Sequence, residues 1–158
     1  MSNIDQPSPA YIINIGLNLP VTSSFALPLA GYYTWLQYRV ISNRIRAKQS
    51  IAQFDPKSAT SREPDRLLAA CRAQANFAEN VPLALTISAL VEANGGSKRV
   101  LTAALSVLCV ARVLHADFGI MAKNNMDRGR PVGFFSTVAV VLGMAGYGAY
   151  LARGSWGF

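Results

Sequence analysis

Charge is what this sequence has least of. Only 15% of its 158 residues are Asp, Glu, Lys or Arg, against about 25% in an ordinary soluble domain. With so little to keep a surface wet, and with 51% hydrophobic residues, the chain reads as an integral membrane protein of a single domain. Acidic residues are the scarcer sign, 8 against 15 basic, giving a formal net charge of +7. That surplus could serve nucleic acid. Here the basic residues sit between apolar blocks, where a membrane protein places them, so no nucleic-acid partner is expected. Cysteine is limited to Cys71 and Cys109 and histidine to His115. Neither cysteine belongs to a CxxC or Cys/His pattern, so both read as buried thiols, and no metal site or Ser/His/Asp triad is expected. Residues 1–20 hold no Lys or Arg, so a cleaved signal peptide is not expected.

Four apolar blocks are present, at about residues 20–38, 67–91, 100–119 and 132–151, each near the ~20 residues that cross ~30 Å of hydrocarbon as a helix. The expected fold is all-α: an integral membrane four-helix bundle with up-down topology. Tyr32, Tyr33, Trp35 and Tyr38 close the first block, as rings that favour the headgroup region do. A polar segment, expected to be a cytoplasmic loop over about residues 39–66, holds seven basic and three acidic residues. The turn Asn94-Gly95-Gly96-Ser97 predicts an antiparallel hairpin of helices two and three. Glycines 133, 143, 146 and 148 in block four predict close approach of a neighbouring helix. The loops after helices one and three together carry ten of the fifteen basic residues, which places them on the cytoplasmic side. Pro28 and Pro82 fall inside helices one and two, where each removes a backbone bond and is expected to bend its helix.

Block two is the odd one. Arg72, Asn76 and Glu79 are spaced i, i+4, i+7 and share one helix face. An ionisable group in hydrocarbon costs about 2.5–3.5 kcal/mol on insertion scales, so this face should turn toward protein or a hydrated cavity. Two readings follow. In one, Arg72 and Glu79 neutralise each other, Arg112 joins them, and the network only specifies packing. In the other, a small zwitterionic ligand completes the set: arginines grip carboxylates, Glu79 pairs an ammonium and Asn76 meets an amide. His115, three residues after Arg112, is open to a base, a hydrogen-bonding or a purely structural role. Asp117 reads as interfacial, and the run Arg39, Arg44, Arg46, Lys48 as a cationic loop beside anionic lipid.

The stretch from Arg72 through Asn76 and Glu79 to Pro82 resembles the helix-two signature, R-x-x-x-N-x-x-E with a nearby Pro, of the membrane-associated proteins in eicosanoid and glutathione metabolism, the MAPEG family. Val40-Ile41-Ser42-Asn43-Arg44 resembles the end of helix one in these proteins, and Ala111-Arg112-Val113-Leu114-His115 their helix-three motif. The resemblance covers nearly all of residues 20–152. It implies a homotrimer in an endoplasmic-reticulum or bacterial plasma membrane, with glutathione between neighbouring subunits near the cytoplasmic side. Carried onto this chain, Arg44, Arg72, Gln74, Asn76, Glu79, Asn80, Arg112 and His115 form the glutathione-binding set. Asn80 and Gly119 stand where members often or sometimes have Tyr. An arginine past helix three would stabilise the thiolate. Counting from Arg112 points to Arg128, whereas counting back from Phe134 and Phe135 points to Arg130, and both remain open. The implied function is a glutathione-dependent transferase, isomerase or peroxidase acting on a lipophilic electrophile. Two alternatives stand beside it: a non-enzymatic lipid-presenting or scaffold protein of the same fold, and a specialised biosynthetic enzyme in which glutathione is vestigial.

Overall fold

The structure is a computed structural model that describes residues 18–51, 55, 57, 65–122 and 127–156. Four long helices account for most of them: α1 (Pro20–Ala47), α2 (Arg66–Ala93), α3 (Lys98–His115) and α4 (Gly129–Ala152), with no strand among the described residues. One π-helical turn, Ala116–Ile120, extends α3. The segment reaching from Lys98 to Ile120 and the one from Gly129 to Ser155 are long and apolar enough to cross a membrane. Helices α1 and α2 have 28 residues each, about 42 Å at 1.5 Å per residue, and they carry more polar side chains. Both run unbroken through Pro28 and Pro82.

The loop expected over residues 39–66 is shorter than that. Helix α1 continues to Ala47 and ends where Lys48 turns left-handed (φ 54°) and the Gln49 N–H donates to the Arg44 carbonyl at 3.0 Å. Polar residues beyond the apolar block resemble a loop in composition, but a helix leaving the membrane keeps its backbone bonds in water equally well. Residues 52–54, 56 and 58–64 of that loop, residues 1–17, and residues 123–126 of the third connection lie outside the described residues.

Around the bundle, α1 packs on α2, α2 on α4, α4 on α3 and α3 on α1, whereas α1 and α4 share no contact. The turn after α2 forms as expected, with Gly95 at φ 77° and the Gly96 N–H on the Val91 carbonyl at 2.9 Å. It joins diagonal partners, however, because α2 meets α3 only sparingly. A short turn fixes where two helix ends meet, while side-chain fit along their length decides which helices are neighbours. Leu101, Leu105 and Leu108 of α3 are fully buried against Leu36, Phe77, Val91 and Met144, the i, i+4, i+7 stripe of a core-facing helix. Leu27, Leu83, Val110, Phe135 and Leu142 point outward, as the surface of a lipid-embedded bundle does.

Helix α1 begins without a side-chain cap of its own. Glu92, at the far end of α2, accepts the backbone N–H groups of Val21 and Thr22, both at 2.8 Å. Burial opposes the charge of this carboxyl, which lies just past the apolar block. The two amide donors and Lys98 outweigh that opposition and hold it below its ordinary value. A depressed folded value means that the contribution to stability is complete above the unfolded carboxylate range, about 4.3, and disappears as pH falls through the folded value. Glu92→Gln turns an amide donor toward one of the two N–H groups. It is expected to lower the thermal midpoint at pH 7 by roughly 2–5 °C, the effect of losing a helix cap. Differential scanning fluorimetry in detergent should also show that this deficit shrinks as pH is lowered. An equal deficit at pH 7 and pH 3 would argue against the charged cap.

Candidate functional site

The i, i+4, i+7 face of α2 opens on a cleft of about 970 Å3. Arg72, Asn76 and Glu79 line it from α2, His115 from the end of α3, Ile120 from the π-turn, and Arg130, Pro131, Phe134 and Phe135 from the start of α4. The lining thus combines charged and polar groups with apolar ones. Arg72 and Glu79 are exposed, and among the described residues they pair neither with each other nor with another side chain. The self-neutralising network is therefore not the one that forms.

Three glycines bring α4 to this position. A methyl group on Gly119 would lie 2.6 Å from the Arg130 backbone nitrogen, and one on Gly129 would lie 2.5 Å from the Leu114 and Phe118 carbonyl oxygens. One on Gly133 would collide with the Ala111 carbonyl oxygen and with His115 Cβ. Backbone packs on backbone here, so Gly119 leaves no space for a side chain. Gly143 and Gly146 make no such contact: a methyl on either would meet open space within the subunit.

His115 fixes the register of that approach. Its Nδ1 lies 2.8 Å from the Arg130 carbonyl oxygen. A carbonyl only accepts, so Nδ1 is the donor and the neutral ring keeps its lone pair on Nε2. Arg130 is thereby held by its own backbone at the cleft wall. Arg128 precedes α4, donates its N–H to Asp127 Oδ1 at 2.7 Å, and is not part of the wall.

The other sequence-derived residues lie around the cleft rather than in it. Arg112 is only 2% exposed, and it donates through Nη1 to Asn76 Oδ1 at 2.8 Å and through Nη2 to the Gly133 carbonyl at 3.1 Å. It stands behind Asn76 and bridges it to the α4 backbone at Gly133. Gln74 faces α1 and donates to the Tyr33 hydroxyl at 3.0 Å. Asn80 bonds back to the Asn76 carbonyl at 2.8 Å. Arg44 donates to the Ser50 carbonyl beyond the last turns of α1. Cys71 is buried, Cys109 half-buried, and both are free thiols.

Sequence reasoning missed one cluster. Asp117 pairs with Arg39 and accepts the Tyr32 hydroxyl at 2.8 Å, tying α1 to the π-turn that follows His115. Arg39 is thus a helical residue with a specific partner. The available signal was the i, i+7 spacing of Tyr32 and Arg39, which places both on one face of α1.

Comparison with known proteins gives one finding: the MAPEG family model matches residues 22–150. No curated protein and no solved structure matches the chain.

Proposed function

The chain belongs to the MAPEG family of integral membrane proteins, and from that premise we propose that it is a glutathione-dependent transferase, isomerase or peroxidase acting on a lipophilic electrophile. One observation carries the reading: Arg72, Asn76, Glu79, His115 and Arg130 come from three separate helices to one cleft that Pro131, Phe134 and Phe135 also line. The residues present fit glutathione. Arg72 offers a fork for a carboxylate and Glu79 a counter-charge for the ammonium. Asn76 offers an amide, and the volume falls within the roughly 300–1,000 Å3 of small-molecule sites.

Glutathione would supply a nucleophilic sulfur. A free thiol of pKa about 8.5 is mostly protonated at neutral pH, and a guanidinium beside it favours the thiolate. Arg130 occupies the cleft wall, so we assign it that role and leave Arg128 outside the site. His115 acts through the Arg130 carbonyl. Phe134, Phe135 and Ile120 keep water from the apolar side, where an electrophile dissolved in the bilayer arrives. A homotrimer binding glutathione between neighbouring subunits belongs to the same proposal, as does a cytoplasmic location for the loops after α1 and α3. In that assembly Arg44, Gln74 and Asn80, which the single chain keeps outside the cleft, have supporting roles.

Purified protein is expected to conjugate glutathione to an aryl halide or to reduce a lipid hydroperoxide, and to gain thermal stability with glutathione. Inactivity toward both, with no thermal shift, overturns the proposal. Activity-free stabilisation would instead favour the non-enzymatic alternative. Arg72→Ala is expected to weaken glutathione binding about tenfold or more, the effect of a lost charge-assisted fork. Isothermal titration measures it, and an unchanged affinity rejects Arg72 as a ligand.

A further inference from the structure

We infer that Arg112 is a positioning residue that locks the Asn76 side-chain amide in one orientation, so that the cleft offers its ligand an N–H donor at Asn76 and requires an acceptor there. The inference rests on the glutathione reading and specifies how that ligand is gripped.

A guanidinium has five N–H donors and no acceptor. The 2.8 Å contact with Arg112 Nη1 must therefore be made by Asn76 Oδ1, and the amide cannot turn over without setting donor against donor. Arg112 is itself immobile, being 2% exposed and held on its other arm by the Gly133 carbonyl, which also accepts the Thr137 hydroxyl at 2.8 Å. With Oδ1 committed to the interior, Asn76 Nδ2 is the edge left over, and no described residue accepts from it. Asn76 lines the cleft, so this is the edge it can offer a ligand.

The charge of Arg112 points the same way. Among the described residues it forms no ion pair, and its Nε has no partner. A buried cation without a counter-ion favours an electron-rich group on the far side of Asn76. A carbonyl or carboxylate oxygen of the tripeptide meets both requirements, whereas its ammonium meets neither and is left to Glu79.

The test uses detergent-solubilised full-length protein titrated with glutathione and with S-methyl glutathione. Asn76→Asp keeps an acceptor for Arg112 and converts the outward edge from donor to acceptor. Its thermal midpoint should be no lower than that of the unmodified protein. Both ligands should bind about tenfold or more weakly, equally so because the contact is not to sulfur. Asn76→Ala removes the donor without adding charge and should lose affinity to a similar degree. Arg112→Met should raise KM for glutathione several-fold with kcat at saturation little changed, and Arg112→Lys should restore most of it, a split that a purely structural role would not give. Should Arg112→Met fail to fold, the two Asn76 variants decide. Undiminished binding by Asn76→Asp overturns the inference while leaving the glutathione reading intact. Failure of the unmodified protein to bind either ligand overturns both.

Discussion

Arg130→Leu is expected to lower kcat/KM for glutathione conjugation by roughly 100- to 1,000-fold, the usual consequence of removing one group that holds developing charge in a water-poor site. Arg128→Leu is expected to stay within about threefold of the unmodified protein, since Arg128 is not part of the cleft wall. Two backbone contacts of Arg130 survive the substitution: the carbonyl that accepts His115 Nδ1 at 2.8 Å and the nitrogen that packs over Gly119. Affinity for S-methyl glutathione should therefore fall far less than rate. The pH–rate profile should move to alkaline pH, since a thiol without the neighbouring cation needs a higher pH to ionise. Initial rates with an aryl halide from pH 6 to 9, together with the ultraviolet absorbance of bound thiolate, measure both effects. An active Arg130→Leu beside an inactive Arg128→Leu would reverse the assignment.

The reason counting along the sequence could not separate these two arginines is visible in α3. Register arguments assume an unbroken 3.6-residue helix, and the Met121 N–H instead bonds the Ala116 carbonyl five residues back. Each hydrogen-bonded turn there takes more chain than an α-helical one, so a count that assumes 3.6 residues per turn loses its phase between Arg112 and α4. The face of α2 was legible for the opposite reason: it is a regular helix, and Arg72, Asn76 and Glu79 in an apolar stretch have one acceptable direction to point. Arg112 was legible as buried and polar, but nothing within its own helix says that its partner is Asn76 rather than Glu79. Glu92 shows the same limit. Its role as the cap of α1 depends on which helix end lies beside it, and residues 70 positions apart carry no local signal of that. The end of α1 was misplaced because composition marks where the apolar block stops, and the helix continues beyond it.

Gly133→Val is expected to destabilise the protein by about 3–5 kcal/mol, at the upper end of single-substitution effects. Overpacking in a flexible core is relieved by rotamer changes at about 1–3 kcal/mol. Here the colliding atoms are the Ala111 carbonyl oxygen and His115 Cβ on an adjacent helix, and backbone can yield only by moving α4 bodily away from α3. That movement pulls the Gly133 carbonyl from Arg112 and the Arg130 carbonyl from His115. Asn76 orientation, Arg130 placement and bundle packing should therefore fail together. Gly143→Val makes the control, as its added atoms meet open space within the subunit. In detergent, Gly133→Val should show a thermal midpoint lowered by 10 °C or more, on the order of what such a loss produces in a domain of this size, and glutathione should no longer raise it. A Gly133→Val protein that melts normally and binds glutathione normally would mean that α3 and α4 do not meet backbone to backbone, and the cleft built on that contact would have to be redrawn.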